Sequence, residues 1–180
     1  GYERWAKVYN LKAAAKAIIF LQENGIQTME QLREKTEDIT NRGNELLASV
    51  KESEKKMAEI AALRKHIINY AKTRETYVAY RKAGYSSKFY EAHREELSLH
   101  MAAKAAFDQL ETSTIPKVKE LNAEYAEILE RKKKAYAEYR KIRPEMQNYQ
   151  IALKVAEACV GEETEQEINQ KEQERPSAQR

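Results

Sequence analysis

Glycine occurs five times in these 180 residues, proline three times and cysteine once. So few turn-forming residues exclude the loop-rich architecture of an ordinary α/β enzyme, including its glycine-rich phosphate loops. The lone Cys159 cannot form an internal disulfide and fits a reducing compartment. The longest apolar run, Ala17 to Leu21, is far too short to cross a bilayer, so no membrane partner is expected. The opening Gly1-Tyr2-Glu3-Arg4-Trp5 is charged and aromatic, unlike a secretory leader. It also lacks an initial methionine, and the chain is read as a piece of a longer protein. A net charge of +3 is too small to name a partner by itself.

What is abundant is charge, at 34% of residues, beside 42% hydrophobic residues, the composition of long helices and coiled coils. From Leu32 the positions Thr36, Ile39, Gly43, Leu46, Val50, Ser53, Met57, Ile60, Arg64, Ile67, Ala71, Arg74 and Val78 succeed one another at alternating spacings of four and three. That is the a/d seam of a heptad repeat. A helix over 28–84 would be roughly 80 Å long at 1.5 Å per residue, and it cannot bury its stripe against itself. A second seam runs through Val118, Leu121, Tyr125, Ile128, Lys132, Ala135, Tyr139, Ile142, Met146, Tyr149 and Leu153. The two predict an all-α, elongated fold: antiparallel coiled-coil helices with a small helical tip between them. An intermolecular dimer through the long helix is the alternative, with a monomer the expectation. Arg64, Arg74 and Lys132 are poor core residues, and they predict either a loose, partly wet interface or one where their stems snorkel past one another.

The chain divides into five segments. Residues 1–27 form a first helix with Trp5, Val8, Leu11 or Lys12, Ala15, Ile18, Ile19 and Gln22 on its packed face, capped by Asn24-Gly25, and it folds back on the base of the rod. The long helix opens with a capping box, Thr28 and Gln31. Residues 85–116 make the tip, opened by Ser86-Ser87 and running as one helix or two, with Pro116 suited to the first turn of the returning helix. That returning helix spans 117–160, bent near Pro144. The Glu/Gln-rich tail 161–180 is expected to be disordered.

The tip holds the candidate chemistry. Between Arg64 and Arg94 there are eight Lys or Arg residues against Glu75 and Glu91, a local balance of eight minus two, +6. Tyr70, Tyr77, Tyr80, Tyr85, Phe89 and Tyr90 are interleaved with them. Cations for phosphates and rings for bases are what single-strand binding requires. The plainer alternative is that the tyrosines pack and the cations solvate. The candidate contact residues are Lys72, Arg74, Tyr77, Arg81, Lys82, Tyr85, Lys88 and Arg94. Arg131 to Lys134 reads as a solvated face paired to Glu127 and Glu130. His93, Glu96 and His100 share a helical face, but no further ligand joins them, so no metal or cofactor is expected. No catalytic constellation is present.

Several strings are more specific than composition. They are Gly1-Tyr2-Glu3-Arg4-Trp5-Ala6-Lys7, Asn10-Leu11-Lys12, His66 through Arg74, Tyr77 through Ser86, and His93-Arg94-Glu95-Glu96. Over roughly residues 1–155 the chain resembles the C-terminal helical region of relaxases, the mobilisation nucleases of conjugative elements in Gram-positive gut bacteria. Relaxases nick DNA with a tyrosine, helped by a metal held by clustered histidines in an N-terminal nuclease domain. Three dispersed histidines, with no histidine-hydrophobic-histidine pair, carry none of that here. The resemblance implies a cytoplasmic, non-catalytic domain whose partners are DNA, such as single-stranded transfer-origin DNA, or transfer-machinery proteins. A structural coiled coil for dimerisation or spacing is the runner-up.

Overall fold

The computed structural model describes residues 2–110 and 114–173, with side chains placed for 11–110 and 114–161. The described residues form five α-helices and no strand: α1 (Tyr2–Glu23), α2 (Met29–Lys82), α3 (Ser87–Ala92), α4 (Arg94–Asp108) and α5 (Val118–Gln173). The chain is all-α. None of these helices is long and apolar enough to cross a membrane. They divide into two compact units, Gly1–Leu47 with Ala137–Arg180, and Ala48–Tyr136.

In the first unit α2 and α5 run antiparallel. Arg33 pairs with Glu157 at 3.3 Å, and the Gln150 amide donates to Thr40 at 3.1 Å. Gly43 sits against Met146. Partners descend along α5 as positions ascend along α2. The core gathers Ala17 of α1, Leu32 of α2, and Tyr149 and Ala152 of α5, with Phe20 edge-on to Tyr149 at 4.8 Å. The capping box forms as expected: the Gln31 amide donates to Thr28 Oγ1 at 3.2 Å, and the Thr28 amide donates to Gln31 Oε1 at 3.3 Å. Gly25, at φ 65°, closes α1, with its amide donating to Gln22 and the Ile26 amide to Leu21. That double bond is the Schellman arrangement, and Leu21 and Ile26 both pack against the core of this unit.

The second unit repeats the antiparallel pairing. Lys132 reaches Glu54 at 2.7 Å, Ile60 packs with Leu121 and Ile128, and the Arg64 Nη1 donates to Asn122 at 2.7 Å. Arg64 and Lys132 therefore do snorkel, with half-buried stems and polar ends on the opposite helix. Every seam position from Leu32 to Ile67, and from Val118 to Leu153, is buried or half-buried. Buried Thr36 and Ser53 satisfy their hydroxyls on the carbonyls of Leu32 and Ser49.

Four expectations need correction. The seam face of α1 is rotated: Ala13, Ala14, Ala17, Phe20 and Leu21 turn inward, while Leu11, Ala15, Ile18, Ile19 and Gln22 are exposed. Ala17 lies in the core with Leu32, Tyr149 and Ala152, and Phe20 and Leu21 pack against it, so this face of the helix is the one turned inward. Trp5 and Val8 lie outside the described side chains. The α2 seam ends at Ile67, because Ala71, Arg74 and Val78 are exposed. Pro116 stands ahead of α5, not in its first turn; the Lys117 amide donates to Glu120 instead. Lastly, α5 passes through Pro144 and Gly161 to Gln173, where the sequence predicts a disordered tail from 161. One glycine costs about 1 kcal/mol, and adding glutamates and glutamines to a nucleated helix costs little. Residues 174–180 lie outside the described residues. The third region is two helices, broken at His93.

Gly43 is a close point of the seam: a Cβ there would stand 2.8 Å from the Met146 Sδ. Gly43→Ala should stay within about 1 kcal/mol of the parent, since gained helix propensity offsets displacement of a flexible thioether. Gly43→Leu should lose about 1–3 kcal/mol by overpacking. Urea unfolding followed by circular dichroism measures both; a leucine variant as stable as the parent would refute the close passage.

Candidate partner-binding surface

The last three turns of α2 carry two different faces. Tyr70, Thr73, Tyr77 and Tyr80 recur at spacings of three and four, one residue out of step with the seam, and this face receives α3 and α4. Its centre is His100, 1% exposed and flanked by Leu97 and Ala103, which are fully buried. The imidazole lies between two rings, 4.5 Å from Tyr70 at 23° and 4.2 Å from Tyr77 at 16°. Phe107 meets Tyr70 edge-on at 5.4 Å. The Thr73 hydroxyl donates its one proton to the Asn69 carbonyl at 2.7 Å, so at 3.0 Å from His100 Nδ1 it accepts. That assigns the imidazole proton to Nδ1.

Outward of this clamp, Tyr80 collects Tyr85, Phe89 and Tyr90 at ring separations of 5.3, 6.1 and 6.0 Å. The Thr76 hydroxyl donates to Glu96 at 2.5 Å, tying α2 to the first turn of α4. Gly84 and Tyr85 both take positive φ, 63° and 59°, and their amides close the end of α2 onto Arg81 and Tyr80. Ser86 occupies the N-cap position of α3 without a side-chain bond to the helix.

The eight candidate residues separate on this geometry. Tyr77 is half-buried against His100, with the Lys104 ammonium over its ring at 5.6 Å, so it is no free platform for a base. Tyr85 is 57% exposed and keeps one edge on Tyr80. Lys72, Arg74, Arg81, Lys82, Lys88 and Arg94 are all exposed. None of these six forms an ion pair with a described residue. Lys72, Arg74 and Lys82 line one shallow depression with Ala71, Glu75, Val78 and Ala79. Arg81 and Lys82 form the last turn of α2, where cations complement the helix dipole.

Two features are not predicted from the sequence. One is the role of His100 as the centre of the clamp, signalled by the out-of-step tyrosine spacing. The other is the exposed apolar strip of Ile68, Ala71 and Val78, signalled by a heptad on α2 that is longer than the one on the returning helix. Elsewhere, Lys132 belongs to the seam, and in the Arg131 to Lys134 run the Lys133 ammonium pairs with Glu130 at 2.8 Å and holds that carboxyl below its ordinary pKa. No group of three or more metal-ligating side chains is present among the described residues. Compared with known proteins, the chain matches no family model, no curated protein and no solved structure.

Burial, and then the neighbouring Lys104 charge, lower the pKa of His100. The unfolded chain, with an ordinary histidine pKa of about 6.5, takes up a proton first as pH falls. Stability should therefore decline below pH about 6.5 and level off once the folded-state value is passed. His100→Phe keeps a flat ring between the two tyrosines and removes this titration. Thermal denaturation between pH about 7.5 and about 5.5 should show a shallower decline for the variant; equal declines would sink the assignment.

Proposed function

We propose that the chain is a non-catalytic helical domain of a conjugative DNA relaxase, and that its corner at the end of α2 engages DNA. The observation that carries this reading is the set of six exposed cations without a described counter-ion, beside the packed His100 clamp. Such cations are suited to neutralising successive phosphates. The strings that resemble relaxase C-terminal regions support the same assignment.

The aromatic residues refine it. Tyr70, Tyr77 and Tyr80 are engaged with His100 and with neighbouring rings, which leaves Tyr85 as the exposed ring. Contact through phosphates, with little base stacking, is the mode this arrangement favours, and it discriminates weakly between sequences. Chemistry on the DNA would belong to a nuclease domain elsewhere in the parent protein. The spacer or dimerisation alternative draws less support, because α5 of the same chain already covers the α2 seam from Leu32 to Ile67.

Fluorescence anisotropy with labelled duplex and single-stranded transfer-origin DNA tests the proposal. The triple variant Arg81→Ala, Lys82→Ala, Lys88→Ala should bind at least about tenfold more weakly, with the log–log salt slope on duplex shallower by about 0.9 for each phosphate no longer neutralised. An affinity that is unchanged and insensitive to salt would remove DNA from the reading.

A further inference from the structure

The α2 seam outruns its partner. Along the second unit α5 covers α2 past the Arg64–Asn122 bond to Ile67, and α5 begins at Val118. The heptad of α2 continues beyond, through Ala71, Arg74 and Val78, with Arg81 at the next position. Helices α3 and α4 do not fill the gap, since they sit on the Tyr70, Thr73, Tyr77 and Tyr80 side. Ile68 and Val78 are left 41% and 40% exposed beside Ala71 and Ala79, small residues that admit a close neighbour.

We propose that this bare stretch of seam is a docking site for an acidic amphipathic helix of another protein, which lies against α2 as α5 does further down. Two observations select that occupant. The stretch is continuous with an interface that is already a helix-on-helix seam, and it keeps the same spacing. Its charge is also one-sided: Lys72, Arg74 and Lys82 border it, with Glu75 as the opposing charge.

The same chain shows how a seam cation is accommodated. Arg64 receives a carbonyl oxygen from Asn122 across the seam, and Lys132 receives the Glu54 carboxylate. Arg74 occupies an equivalent seam position with no such partner among the described residues, so a carboxylate on the incoming helix completes it. A second copy of this chain fits poorly. Its α2 would bring the same cations, and its acidic stretch 162–173 contains one aliphatic residue, Ile168. Duplex DNA would satisfy the cations and leave the Val78 and Ile68 methyl groups in water.

The test uses the whole chain and a labelled synthetic peptide of three heptads, with leucine at the seam positions and glutamate flanking them, read by fluorescence anisotropy. One control peptide has the same composition scrambled; another replaces glutamate by lysine. The acidic amphipathic peptide should bind, and the controls should not. The double variant Ile68→Ser, Val78→Ser and the single variant Arg74→Glu should each weaken it at least about tenfold. Leu11→Ser and Ile151→Ser, exposed apolar changes in the other unit, should have no effect. Equal binding by either control peptide, or parent-like binding by the double variant or by Arg74→Glu, overturns the proposal. So does a double variant that weakens duplex DNA as strongly as the peptide, which would make this a nucleic-acid surface. Because Ile68→Ser, Val78→Ser changes no charge, peptide loss with intact DNA binding separates this inference from the DNA reading.

Discussion

A helix with an apolar stripe has to be covered by another helix, and in this molecule the cover comes from the same chain. The antiparallel fit of α2 and α5 is the constraint on which the rest depends. It buries Leu32, Val50, Ile60, Leu121, Ile128 and Tyr149, and it draws the intervening polar residues into defined pairings. Hydroxyls inside it turn back onto their own helix, while Arg64 and Lys132 cross to the facing one. Gly43 beneath Met146 gives the seam a point of close helix passage. The same constraint is visible where it lapses. Beyond the reach of α5, the apolar and cationic seam residues of α2 face solvent.

Much of this is legible in the sequence. Uninterrupted heptad spacing identifies both long helices, their seam residues and the snorkelling cations, because a periodic stripe on a proline-poor segment has few alternatives. Local hydrogen-bond chemistry identifies the Thr28–Gln31 box and the Gly25 and Gly84 stops. The features that sequence does not yield depend on tertiary contacts. The roll of α1 shows only in its packing: Ala17, Phe20 and Leu21 meet the core of Leu32, Tyr149 and Ala152, while aliphatic side chains at 11, 18 and 19 stay exposed. The break at His93 follows from α4 having to place Glu96 beside Thr76 and His100 between Tyr70 and Tyr77.

The bare end of the seam is legible in principle. Fourteen seam positions on α2 face eleven on the returning helix, so some have to remain uncovered. Periodicity alone does not say at which end the surplus falls. The covalent path decides that: the tip must leave and re-enter before Val118, while α1 closes over Leu32 at the start of α2. Of the candidate residues, the cations keep the exposure expected of a contact surface. The tyrosines are ambiguous by type, since rings that stack on bases also stack on one another, and here His100 resolves the ambiguity by taking two of them.

The end of α2 has one more effect on whatever approaches it. Its last carbonyls point along the helix axis toward Gly84 and carry up to about half an elementary negative charge in sum, partly offset where the Gly84 and Tyr85 amides donate to Arg81 and Tyr80. Arg81 and Lys82 lie within that field. An anion arriving head-on meets the carbonyls together with the cations, so part of the attraction cancels. One arriving sideways, level with Arg74, feels the side chains with far less of the opposing backbone charge. The direction of entry is thus biased toward the flank of the helix, whatever the chemical nature of the visitor.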